Sequence, residues 1–148
     1  MSTPGTDDFT LLQPAGWAKP IGYANGIAAT GRQVFVAGQI GWNPATGAFE
    51  TDDFAAQTAQ ALRNVVAVLH EAGAEPRHLV RMTWYVTDKA AYLASRKEIG
   101  KAWKEIIGRS FPAMAVVVVS ALIEDRALVE IEATAVVGPR EDRGYTFL

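Results

Sequence analysis

Apolar and polar positions along the chain switch between two rhythms. Residues 33–37, Gln-Val-Phe-Val-Ala, are β-branched and aromatic and predict a short strand. The stretch from Tyr23 to Ala29 is more weakly strand-like, and Thr30-Gly31-Arg32 reads as the turn that joins the two into a hairpin. Gly38 to Pro44 is expected to be a loop that ends the strand, with Asn43-Pro44 and Thr46-Gly47 as turn signals. A period of 3.6 follows. Phe54, Thr58, Ala61, Leu62, Val65, Leu69 and Ala72 share one helical face, while Gln57, Gln60, Arg63, Asn64 and Glu71 fill the other. Asp52 or Asp53 supplies the N-cap and Gly73 the stop. Leu79 to Thr87 returns to a strand pattern. Asp88 then caps a second helix running to about Ile107, apolar at Tyr92, Ile99, Ala102, Trp103 and Ile106. Its charged face holds Arg96, Lys97, Lys101, Lys104 and Glu105. Ala113–Ser120 and Leu128–Val137 are the closing strands, joined through the polar turn Glu124-Asp125-Arg126.

The order β-β-α-β-α-β-β predicts an α+β domain with one mixed sheet and two helices on one face. The β-α-β crossover is expected to make its two strands parallel neighbours. Three segments divide the chain: an N-terminal arm over 1–19, loosened by Pro4, Gly5 and Pro14; one domain over 20–137; and a tail over 138–148. Positions 113–119 are apolar without interruption, which predicts a strand covered on both faces. Two helices cover one face only, so a further copy of the chain is expected on the other.

Composition narrows the function. The chain has 148 residues, enough for a single core, and a net charge of −2. Its basic residues are dispersed, which argues against a nucleic-acid platform. With no cysteine there is no thiolate nucleophile, disulfide or cysteine-based zinc site. The two histidines, His70 at a helix end and His78 in a connector, read as surface residues rather than metal ligands. The first residues lack the basic and apolar regions of a secretory leader, and no apolar run reaches the roughly 18–20 residues of a membrane span. A cytoplasmic protein without metal or organic cofactor is the expectation. Nucleotide-binding glycine loops, the nucleophile elbow and zinc-protease motifs are all absent from the sequence.

Glu130 and Glu132 lie two apart on a strand and therefore share a face, opposite Val129, Ile131, Ala133 and Ala135. A carboxyl group in a partly dry cleft can serve as acid or base, whereas an edge strand would simply solvate both groups. Tyr23, between Gly22 and Asn25-Gly26, can present its hydroxyl to a ligand or pack on the hairpin. Gly38 and Gln39, at a strand end, bring backbone N–H groups and an amide. Trp17 and Trp42 flank these loops and can wall a pocket.

Four segments occur together and in order: Gly22-Tyr23-Ala24-Asn25-Gly26, Val36-Ala37-Gly38-Gln39-Ile40, Phe111-Pro112-Ala113 and Val129-Glu130-Ile131-Glu132-Ala133. With the two helices, they resemble the RidA family, also called YjgF/YER057c/UK114, over Pro20 to Val137. The resemblance implies a chorismate-mutase-like fold and a homotrimer with ligand clefts between subunits. It implies hydrolysis of a reactive enamine or imine to a carbonyl compound and ammonia. Tyr23 stands at the family's cleft tyrosine, Glu130 at its acidic residue, and Gly38-Gln39 in its Ser-Gly-Gln stretch, with Ala37 in place of the serine. After Pro112-Ala113, where archetypal deaminases carry an arginine for the substrate carboxylate, this chain has Met114; the frequent cysteine is Val116. A thioether cannot form a bidentate charged pair. Losing it weakens capture of a small carboxylated imine by ~30- to 1000-fold.

Glu130 and Tyr23 are accordingly the expected catalytic pair. Gly38, Gln39, Trp42, Arg96, Met114 and Val116 are expected to bind substrate, with Arg96 taking a displaced anion. The expected substrate is larger than in the archetypes, aminomuconate-like or otherwise. The alternative is a non-catalytic trimer binding a small metabolite; an endoribonuclease role ranks last, because the chain is acidic and lacks a basic track.

Overall fold

In the computed structural model, which describes residues 9–139, ten short elements follow one another. They are strands β1 (Phe9–Leu12), β2 (Gly26–Ala29) and β3 (Arg32–Ile40), helix α1 (Phe54–Glu71), a single 3-10 turn (Pro76–His78) and strand β4 (Leu79–Val86). Helices α2 (Lys89–Ala94) and α3 (Arg96–Ile106) and strands β5 (Ala113–Val118) and β6 (Val129–Val137) complete the order. A four-stranded sheet runs β3-β6-β4-β5, and β1 and β2 form a separate antiparallel pair. As the crossover predicted, β4 and β5 are parallel; β6 runs antiparallel to both its neighbours.

Strand periodicity decides which side of the sheet is core. Val34 and Val36, Met82, Trp84 and Val86, and Val129, Ile131, Ala133, Ala135 and Val137 are all buried against the helices. The alternate positions, including Phe35, Tyr85, Glu130 and Glu132, face the open side. Asp53 caps α1 by accepting from the Ala56 N–H at 2.9 Å, and Asp88 caps α2 from Ala91 at 3.1 Å. Gly73 takes the positive φ of 69° that ends α1.

Several sequence expectations change. The hairpin of residues 23–29 with 33–37 does not form: β2 pairs with β1, and β3 pairs with β6. Ladder pairing to a long central strand outcompetes the local turn. The N-terminal arm is therefore partly structured, since Phe9–Leu12 is itself a strand. The tail lies outside the described residues from 140 onward. β3 does not stop at Gly38 but reaches Ile40 through an irregularity between Val36 and Gln39. Helix two is two helices, broken at Ser95, so there are three helices rather than two: α1 packs on β3 and β6, α3 packs against α1, and α2 has no buried residue. β5 is an edge strand with Val117 and Val118 exposed, so its second face has no cover among the described residues of the subunit.

Two polar residues assigned to the outer face of α1 are buried. The Gln57 amide donates to the Thr51 and Arg126 carbonyls, both at 3.0 Å, and accepts from the Leu128 N–H at 2.9 Å. Asn64 donates to the carbonyls of Ile40 and Trp42 at 3.0 and 3.1 Å, while accepting from Gln60. Each thus replaces backbone pairing that the loops cannot supply. His78 is also buried, against expectation, with Nδ1 accepting from the Glu75 N–H at 2.9 Å.

Candidate active site

Register across β6 and β3 sets the position of Glu130. It lies opposite Ile40 on one side and Tyr85 on the other, half-buried on the open face. Between Val36 and Gln39, β3 advances three residues while β6 advances two, from Ala133 to Ile131. The extra residue is a bulge, which breaks the ladder locally. Gly38 lies in it, directly over the Glu130 side chain: a Cβ at Gly38 would stand 2.8 Å from the carboxyl carbon and 3.0 Å from Oε1. Glycine is the residue that lets this carboxylate lie against the strand. The Gln39 amide turns back to the Ala37 carbonyl at 3.1 Å, so it braces the bulge. Trp42 packs within its own loop, its ring 6.0 Å from that of Phe49.

Glu132, two residues on, shares the open face as expected. It accepts a 2.6 Å hydrogen bond from the Tyr85 hydroxyl. That bond pushes the Tyr85 phenol above its ordinary pKa; desolvation and the negative charges of Glu132 and Glu130 add to it, and Arg81 opposes it.

Tyr23 is positioned from the other edge of the sheet. Gly22, with φ of 78°, turns the chain, and the Ala24 N–H donates to the Pro112 carbonyl at 3.0 Å. A parallel bridge joins Ala24 to Ala113, the first residue of β5. Met114 and Val116 pair with Met82 and Trp84 and point to the helix side. There a cleft of about 440 Å³ collects Tyr23, Arg96, Met114 and Val116. The break at Ser95 makes Arg96 the first residue of α3. Tyr92, Arg96, Ile99 and Trp103 then follow helical spacing along the cleft wall, so Arg96 sits at the border of the apolar stripe.

The structure therefore brings together four nominated residues on one side of the sheet and two, Glu130 and Gly38, on the other. Trp84, Tyr92, Ile99, Gly100 and Trp103 also line the cleft and were not nominated from the sequence. The helical spacing of 92, 96, 99 and 103 was the available signal. Among the described residues, Arg96 is the only charged side chain in the lining. The Trp84 and Trp103 indole N–H groups are buried without an acceptor among the described residues. An added Cβ at Gly100 would meet nothing within 4 Å. Among the described residues, no group of three or more His, Asp or Glu is placed to hold a metal ion, and no helix is long and apolar enough to cross a membrane.

The chain is similar to known proteins over most of its length. The family model described as Endoribonuclease L-PSP matches residues 18–137. A RutC family protein of Pyrococcus abyssi is 38% identical over 117 residues, covering 79% of this chain and 88% of its own. The human 2-iminobutanoate/2-iminopropanoate deaminase is 31% identical over 108 residues, covering 73% and 75%. Among solved structures, YyfB of Yersinia pestis, of the conserved Rid protein family, superposes with a TM-score of 0.78 at 31% identity, over 88% of this chain and 99% of that one. With the bulge-held glutamate, the tyrosine at the β5 edge and these matches across most of its length, the chain belongs to the YjgF/YER057c/UK114, or RidA, family.

Proposed function

We propose that the protein is a cytoplasmic imine deaminase for substrates with a larger apolar body than those of the archetypal enzymes. The observation that carries this reading is the cleft of about 440 Å³, where Tyr23 and one cation, Arg96, stand against apolar and aromatic walls. Its volume falls in the range of small-molecule sites. The naming of relatives as 2-iminobutanoate/2-iminopropanoate deaminases supports the reaction class. Met114 stands where the archetypes carry a cation, Val116 keeps the wall apolar, and Arg96 puts the cleft's cation at the start of α3. Gly100 sits inside a helix, where glycine costs about 1 kcal/mol relative to alanine, and the room it leaves opens into the cleft.

Glu130 lies on the opposite sheet face from Met114 within one subunit. In a homotrimer, the bulge of one subunit meets the cleft of its neighbour and the two halves of the site combine. An enamine first tautomerises to its imine. Water then adds across the C=N bond: its oxygen bonds carbon, one proton goes to nitrogen and Glu130 takes the other. Glu130 returns that proton as the C–N bond breaks, releasing ammonia and leaving the carbonyl product. Tyr23 hydrogen-bonds the substrate, and the backbone N–H of the Gly38 bulge receives the developing oxygen.

The test is ammonia release from imines generated in situ by amino-acid oxidases, with aromatic and aliphatic precursors. Glu130→Gln is expected to lose turnover by roughly 100-fold or more while keeping its assembly state. Gly100→Leu is expected to slow bulky imines selectively. Retained turnover in Glu130→Gln would remove the assigned role. Release no faster than buffer across the panel would leave the protein as a small-molecule-binding member of the family.

A further inference from the structure

A second cavity, of about 490 Å³, lies on the far side of Tyr23 from the cleft. β1 forms one wall through Phe9, Leu11 and Leu12; Trp17, Pro20 and Phe111 close the others. Phe111 stacks on Trp103, with ring centroids 5.6 Å apart and planes 3° apart, and so separates this groove from the cleft behind it. Trp17 is 62% exposed, yet its loop is held in place. The Asn25 amide donates to Gln13 Oε1 at 2.8 Å, and the Gln13 amide donates in turn to the carbonyls of Trp17 and Ala18 at 3.4 and 3.2 Å. The indole is presented by a braced turn.

Charge singles out the occupant. Among the described residues, the groove is lined by two cations, Lys19 and Arg109, and by no carboxylate. Neither cation makes an ion pair or a side-chain hydrogen bond among the described residues. An apolar trough of ligand size with unpaired cations beside it matches one chemistry: an amphipathic organic anion, with a hydrocarbon or aryl body and one carboxylate. A hydrocarbon chain gains by leaving water, and its carboxylate needs a cation within reach of the groove. We propose that this groove is a binding site for such carboxylates, separate from the imine cleft, with Tyr23 standing between the two.

Calorimetric titration with decanoate, decanol and decylammonium, all below their aggregation concentrations, tests this on the full chain. Decanoate is expected to bind saturably and roughly tenfold or more tighter than decanol, with decylammonium weakest. Arg109→Gln combined with Lys19→Gln is expected to bring decanoate down to the affinity of decanol while leaving decanol unchanged. These are exposed side chains, so the variant folds as the parent does; its thermal midpoint checks this. Arg96→Gln is expected to leave decanoate binding as it was. Equal affinities for decanoate and decanol would overturn the proposal. So would binding lost with Arg96→Gln and kept in the double variant, since the ligand would then sit in the cleft. Absence of binding together with a Trp17 already shielded from iodide would assign the groove to a second copy of the chain instead.

Discussion

Gly38 and Glu130 depend on each other at the scale of single atoms. The carboxyl carbon lies where a Cβ on residue 38 would press at 2.8 Å. The obstructing atoms belong to the end of a flexible side chain, so Gly38→Ala does not need the backbone to move. It is expected to cost less than about 1 kcal/mol of stability, yet to displace the carboxylate. Deaminase activity should fall by roughly 10- to 100-fold with little change in thermal midpoint, as misplacement of a reacting group by an ångström predicts. Equal losses of activity and stability would mean that Gly38 serves the fold and not the carboxylate. The sequence placed a glycine opposite no particular partner. Only the pairing register reveals what the missing Cβ makes room for.

Among the elements, α1 carries the clearest energetic lesson. Its apolar stripe was legible from spacing, and Phe54, Ala61, Leu62, Val65 and Leu69 are buried as read. Gln57 and Asn64 were assigned to the solvent face because they are polar, and both are buried. The reason is that they hydrogen-bond backbone groups far away in sequence, such as those of Leu128 and Ile40. No local pattern encodes such partners. Gln57→Leu keeps the volume but orphans the Leu128 N–H and two carbonyls. The expected loss is about 1–3 kcal/mol, or roughly 2–12 °C in thermal midpoint, read by calorimetry. An unchanged midpoint would show that water or a shifted loop replaces the amide. The split of the second helix at Ser95 belongs to this scale too. Periodicity runs through the break, so it read as one helix, although Arg96 gains its place on the cleft wall from that boundary.

For the whole molecule, the open sheet face is the surface left without a partner among the described residues of one subunit. Phe35 is 71% exposed there, Val117 is 40% exposed, and Val118 at the edge is 55% exposed. Apolar area of this kind on a sheet predicts a partner surface. Static light scattering is expected to report a trimer, three times the 15.9 kDa protomer, and Phe35→Glu is expected to shift it toward monomer. A monomeric wild type at micromolar concentration would refute this assembly. It would also leave Glu130 and the cleft without a way to meet, and deaminase activity should then be absent.

The sequence alone determined the types of most elements between β2 and β6, the parallel β4–β5 crossover, the shared face of Glu130 and Glu132, and the family. All of these rest on period, caps and motif order, which are local or ordered along the chain. Tertiary structure decided the partners of β1 and β2, the bulge beneath Glu130, the burial of Gln57, Asn64 and His78, and the division of the nominated residues between two sides of the sheet. Each of those depends on a contact between residues distant in sequence or on a register shift of one residue. One such shift reverses the face of every side chain beyond it, and composition and spacing do not report it.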